Sequence, residues 1–262
     1  GKVTDEDLAL HPQCRVLAVA FVGCDHVDRE ACRRRNIAIM NCPDYSSTTV
    51  AELTLGLALA VYREIPACER TLRTGGWEHS PAGMELRGKV IGIVGLGNIG
   101  LSTAHLFKAF GPKELLGWSR RTKPRFTAEP LSGMQTSLED IFDRADIVCL
   151  SVLLTDETSG MITRGLLERL RLSSVLLNIA RSALCDQEAL VELLCQRRFR
   201  AGLDVYPQEP LPDDAPIRRV PRDQVVLVPH IGYKSFEALQ RRLELEADNI
   251  KNFVANMTAN ID

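Results

Sequence analysis

The chain has 262 residues, 45% of them apolar and 25% charged, with a formal net charge of −2 at pH 7. These are the proportions of an ordinary globular protein long enough for two cores, and so balanced a charge offers no general attraction to nucleic acid or to an anionic membrane. Eight scattered cysteines without a C-x-x-C pair fit reduced thiols in a cytoplasm better than a disulfide frame or a zinc site, and the longest apolar runs, residues 16–24 and 53–61, are too short to cross a bilayer.

In chain order, Thr4-Asp5-Glu6-Asp7-Leu8 reads as a capped helical turn, residues 14–20 as an apolar strand, 27–35 as a helix and 37–40 as a second strand. Two parallel strands alone make a poor two-faced sheet, so either this first domain is incomplete at its N-terminus and further strands complete it, or its sheet edge is exposed. Residues 41–47 are turn-rich. The helix expected over 48–63 is apolar well beyond one stripe and should be buried on most sides, and a further helix over 66–73 breaks at Gly75-Gly76.

An apolar run from Lys89 then ends in Gly95-Leu96-Gly97-Asn98-Ile99-Gly100 and passes into an apolar helix, the pattern strand, tight turn, helix. Gly95 allows the turn, Gly97 lets a diphosphate approach the backbone, and Gly100 permits close packing of helix on strand. The N–H groups at Asn98 and Ile99, at the positive end of the helix dipole, then suit a dinucleotide. Strands expected at 114–118, 147–150, 174–178, 201–205 and 225–228 alternate with helices at 138–144, 164–170 and 187–196, which is an α/β, doubly wound parallel sheet of the Rossmann type. A long charged helix over 235–254 closes the chain.

The strand at 114–118 runs into Ser119-Arg120-Arg121, where the usual ribose-binding acid is absent. A hydroxyl with two guanidinium groups suits a 2′-phosphate, so the expected cofactor is NADP(H), with NAD(H) possible; a solvated basic turn is the plainer alternative. Strand carboxyl ends line the ligand crevice of such a sheet, which places Arg181, Asp204, Glu209 and His230 there. They comprise a cation for a carboxylate, an imidazole for proton transfer and a carboxylate to accompany that imidazole. No metal-ligand cluster is visible.

Several motifs carry a resemblance along nearly the whole chain: Gly23-Cys24-Asp25-His26-Val27-Asp28, Asn41-Cys42-Pro43, Val50-Ala51-Glu52, Leu86-Arg87-Gly88-Lys89, the glycine motif, Thr155-Asp156-Glu157-Thr158, and the strand-end segments Asn178-Ile179-Ala180-Arg181-Ser182, Gly202-Leu203-Asp204-Val205-Tyr206-Pro207-Gln208-Glu209-Pro210 and Val228-Pro229-His230-Ile231-Gly232. With these the chain resembles the D-isomer-specific 2-hydroxyacid dehydrogenases, and within them the glyoxylate/hydroxypyruvate reductases. The resemblance implies catalysis by Arg181, Glu209 and His230, with Val22 and Gly23 assisting Arg181 on the substrate carboxylate. It also implies cofactor contacts from Thr158, Asp204 and Gly232. It further implies a flavodoxin-like substrate domain made of residues 1–63 and 234–262, a dinucleotide-binding domain over 64–233, and a homodimer built through the 48–63 helix and an arm around Trp77. Ser182, Asp44 and Tyr233-Lys234 depart from the family's usual residues. The alternative function is an NAD(P)H-sensing scaffold on the same fold, as in the family's corepressors.

Overall fold

The computed structural model describes residues 2–77 and 82–258 and divides into two compact units, Gly1–Ser46 with Tyr233–Asp262, and Ser47–Gly232. In the first, the Thr4 hydroxyl accepts from the Asp7 N–H while the Asp7 carboxylate accepts from the Thr4 N–H, a capping box that starts α1 (Asp5–Ala9). β1 (Val16–Val19), α2 (Arg29–Arg34) and β2 (Ala38–Asn41) follow, with β1 and β2 parallel and Val16 opposite Ala38. Asp28 caps α2 by accepting from the Ala31 N–H, and Leu8, Val19, Val27, Ala31, Cys32 and Ile37 form this unit's small core.

The second unit opens with α3 (Ser47–Tyr62) and α4 (Ile65–Arg73), then winds through β3 (Val90–Val94), α5 (Asn98–Lys108), β4 (Glu114–Trp118), α6 (Pro124–Thr127), β5 (Met134–Gln135) and α7 (Leu138–Arg144). It continues with β6 (Ile147–Leu150), α8 (Arg164–Leu167), β7 (Val175–Asn178), α9 (Gln187–Cys195), β8 (Arg200–Leu203) and β9 (Val225–Leu227). The seven strands form one parallel sheet in the order β5-β4-β3-β6-β7-β8-β9. Every residue of β3, β6 and β7 is buried, as continuous Val/Ile/Leu runs require when helices cover both faces. Val50, Leu57 and Leu101 share a core with Ile91 and Ile93, and Ile141, Phe142, Leu167 and Leu190 share a second with Val94, Val148 and Leu176. The chain then returns to the first unit as α10 (Phe236–Thr258), where Arg241 Nε donates to the Tyr45 carbonyl at 2.9 Å and Asn249 Nδ2 to the Asn41 carbonyl at 3.0 Å.

The α/β class and the doubly wound sheet agree with the sequence expectation. The unit boundary differs: α3, expected with the substrate domain, belongs to the sheet unit because Val50, Leu57, Ala58 and Val61 pack on that sheet's core. α3 is covered on most sides, as its apolarity predicts, with exposure confined to the i,i+4 stripe Thr48, Glu52 and Gly56. The two-residue β5 and the single turn of α6 carry too little periodicity to be foreseen.

Candidate active site

The sheet's strand order reverses between β3 and β6, and in an open α/β sheet ligands bind at the carboxyl ends of the strands beside that switch point. Gly95, just past β3, has φ +104°, and a Cβ there would lie 2.7 Å from the Ser151 carbonyl. Ser151 follows β6 and its Oγ donates to the Gly95 carbonyl at 2.7 Å, which locks the turn across the switch point. A Cβ on Gly100 would come within 1.9 Å of the same carbonyl, so α5 abuts the turn as closely as glycine allows. Gly97 differs: no protein atom lies within 4 Å of its would-be Cβ, and no side chain caps the N-terminus of α5, which begins at Asn98 and Ile99. The fold therefore has no packing need for glycine at 97, whereas a diphosphate drawn to the helix N–H groups does. The residues present fit a dinucleotide.

Past β4, Ser119 Oγ donates to the Arg121 carbonyl at 2.5 Å and accepts from Gln135 Nε2 at 3.2 Å. The hydroxyl expected to face a phosphate thus has its proton within the turn. Arg120 and Arg121 are exposed, with Arg120 ion-paired to Glu157 at 2.5 Å.

The remaining candidates follow β7, β8 and β9, three neighbouring strands whose spacing of about 4.8 Å gathers their ends within roughly 10 Å. Asn178, the last residue of β7, clamps the Arg181 segment: its Oδ1 accepts from the Ala180 N–H at 3.1 Å and its Nδ2 donates to the Arg181 carbonyl at 2.9 Å. The Arg181 guanidinium donates through Nη1 to the Ala180 carbonyl at 2.8 Å. Cys185, near Asn178, is buried, and burial pushes its thiol up to about 12, so it stays neutral.

After β8, Asp204 is 1% exposed and accepts from the Ile231 and Gly232 N–H groups at 2.7 and 2.8 Å. Burial raises its carboxyl above the ordinary range, opposed by those two hydrogen bonds. Asp204 therefore ties the β8 end to the loop that carries His230, and Gly232 is needed there because a Cβ would sit 2.8 Å from the carboxylate. His230 stands at φ +52°, in the left-handed region where non-glycine residues are uncommon, and its Nδ1 lies 2.5 Å from Glu209 Oε2. Glu209 Oε1 accepts from the Tyr206 N–H at 2.9 Å, and the Tyr206 hydroxyl contacts the Leu203 and Val228 carbonyls at 3.1 and 2.8 Å. An imidazole held through one nitrogen by an anchored carboxylate is an arrangement that general acid–base chemistry can use.

Thr158 is 4% exposed, and its hydroxyl donates to the Leu153 carbonyl at 2.7 Å and accepts from the Thr155 N–H at 2.8 Å, so in this structure it staples its own loop. In the first unit the Val22 carbonyl accepts from Asn41 Nδ2 at 2.8 Å, which orders the segment before the buried Gly23. Of the departures from the family pattern, Asp44 occupies φ +63°, a conformation that favours glycine and that Asp tolerates better than most residues, and Ser182 is 9% exposed. His11 and His105 are exposed, and His26 stacks edge-on to Phe21; His79 lies outside the described residues. Ser151, Asn178, Tyr206 and Gln135 escaped the sequence reading because their role is to hold other residues, for which no motif exists. Among the described residues no group of His, Cys, Asp and Glu could hold a metal, no helix is long and apolar enough to cross a membrane, and all eight cysteines are free thiols.

Residues 55–232 match the family model of the D-isomer specific 2-hydroxyacid dehydrogenase, NAD binding domain. The chain is 37% identical over 255 residues to a glyoxylate reductase of Thermofilum pendens, an alignment covering 95% of this chain and 74% of that protein. It is 33% identical over 258 residues to glyoxylate/hydroxypyruvate reductase B of Yersinia pestis, covering 96% of this chain and 78% of that one. Among solved structures, D-lactate dehydrogenase from Aquifex aeolicus complexed with NAD and lactic acid has a TM-score of 0.88 at 27% identity, covering 97% of this chain and 80% of that one. An acyclic imino acid reductase in complex with NADPH and D-Arg has a TM-score of 0.87 at 29% identity, covering 98% and 81%. With a glycine turn shaped for a dinucleotide and this likeness along its length, the chain belongs to the D-isomer specific 2-hydroxyacid dehydrogenases, NAD(P)-dependent oxidoreductases on a Rossmann-like fold.

Proposed function

We propose that the protein is an NADP(H)-preferring reductase of small 2-oxo acids such as glyoxylate and hydroxypyruvate, the substrates in its relatives' names. The observation that carries this reading is the Glu209–His230 pair at 2.5 Å on the strand ends beside Arg181. When bound, the reduced nicotinamide supplies a hydride. The Arg181 guanidinium holds the substrate carboxylate and its 2-oxo oxygen. His230 passes a proton from Nε2 to the oxygen that becomes the hydroxyl, and Glu209 balances the imidazolium charge. Asp204, in this reading, faces the nicotinamide carboxamide while holding the His230 loop, and Gly232 and Thr158 border the cofactor.

Support for NADP(H) comes from Arg120 and Arg121 and from the lack of any acid over residues 119–128. One charge-assisted Arg–phosphate contact contributes about 1.5–3 kcal/mol, or roughly ten- to a hundredfold. Steady-state assays with glyoxylate or hydroxypyruvate are expected to give a kcat/KM for NADPH at least about tenfold above that for NADH, and Ser119→Asp/Arg120→Ala to reverse it. A wild type that favours NADH ends the cofactor proposal. No turnover with any small 2-oxo acid, alongside tight NADPH binding, replaces the enzyme with the scaffold reading.

We further propose a homodimer working in a reducing cytoplasm. α4 buries none of its residues although Ile65 is 53% and Leu72 58% exposed, and Trp77 just beyond it is 78% exposed. Such a stripe beside the partly covered outer face of α3 suits an interface. Leu72→Asp is expected to yield a monomer by light scattering, and a monomeric wild type contradicts the proposal.

A further inference from the structure

Gln135 is one of two residues of β5, an edge strand that pairs only Met134 with Leu116 and Gln135 with Gly117. Met134 is 45% exposed, so the strand itself buries little. The Gln135 amide reaches instead into the turn after β4. Its Nε2 donates to Ser119 Oγ at 3.2 Å and to the Arg121 carbonyl at 3.3 Å, and its Oε1 accepts from the Lys123 N–H at 2.5 Å. One primary amide thus spans the turn from its first residue to the residue before α6, using both its donor and its acceptor side.

The turn so fixed carries Arg120, Arg121 and Lys123, with Arg125 close behind. With the Ser119 proton directed to the Arg121 carbonyl, recognition of a phosphate falls on the cations and the backbone of this segment. A guanidinium fork binds phosphate well only at a defined angle, and a loose turn has to be ordered on binding, which lowers affinity. We propose that Gln135 is a positioning residue that presets the 119–123 turn for an adenosine 2′-phosphate, and so determines how strongly the protein discriminates NADP(H) from NAD(H). The proposal rests on the NADP(H) reading above.

The test is calorimetric titration of the protein with 2′,5′-ADP and with 5′-AMP, probes that differ only in the 2′-phosphate. Gln135→Met keeps the length of the side chain and removes its hydrogen bonds, while Gln135→Asn keeps the amide but is too short to span the turn; circular dichroism reports folding, so either variant suffices should the other not fold. The expected result is about a tenfold loss of affinity for 2′,5′-ADP with that for 5′-AMP changed less than about twofold. Unchanged selectivity, or an equal loss for both probes, overturns the proposal and leaves the NADP(H) reading standing. A wild type that binds both probes alike overturns that reading and the proposal together.

Discussion

His230→Gln is expected to lower kcat by about 10²–10⁴-fold while leaving the Kd for NADPH unchanged, because a positioned general acid contributes on that order and glutamine cannot carry the proton. The geometry makes the prediction specific. Glu209 Oε2 fixes Nδ1, the Tyr206 N–H fixes Glu209, and Asp204 fixes the backbone on the far side of His230, so the loop retains its shape when the imidazole is replaced. Glutamine can still accept a place beside Glu209, which separates loss of the proton from loss of the loop. Arg181→Ala serves as the contrast: a residue that binds the carboxylate in ground and transition states alike is expected mainly to raise KM. Equal loss of NADPH binding in both variants would count against the roles proposed for them.

How much of this was open to inspection in the sequence depended on whether a residue acts for itself. The strands of the sheet other than β5 are legible in the sequence to within a residue or two, because fully buried parallel strands are written as unbroken apolar runs such as Val90–Val94 and Val175–Asn178. The glycine turn was found because its three glycines each meet a separate steric demand. Supporting residues were invisible for the opposite reason. Gln135 lies 16 positions from Ser119, and Ser151 lies 56 from Gly95, so their partnership exists only once β4 pairs with β5 and β3 with β6. The hydroxyl of Thr158, a residue the family resemblance places at the cofactor, closes a local turn, as threonine and serine hydroxyls commonly do, and no motif encodes that second role. That helix α3 packs on the core of the sheet is not legible either, because apolarity says that a helix is buried, not against what.

The glycine turn provides the second large effect, and a way to separate architecture from ligand binding. Gly100→Ala places a methyl group 1.9 Å from the Gly95 carbonyl, far inside contact distance and against backbone that Ser151 holds in place. Either α5 moves away from the sheet or the Gly95 turn opens, and overpacking of this kind costs about 1–3 kcal/mol or more. For a chain of this size that lowers Tm by roughly 2–4 °C per kcal/mol, and it misplaces the N–H groups meant for the diphosphate, so stability and NADPH affinity fall together. Gly97→Ala meets no protein atom within 4 Å and sits at φ −78°, which alanine adopts freely. It is expected to leave Tm within about 1–2 °C of wild type, the range of a neutral surface change, while NADPH affinity drops at least about tenfold because the methyl group occupies the approach of the diphosphate. Thermal unfolding and NADPH titration of both variants decide the matter. If Gly97→Ala bound NADPH as the wild type does, the open space above Gly97 would not be the diphosphate seat, and the placement of the cofactor along β3 and α5 would have to be abandoned.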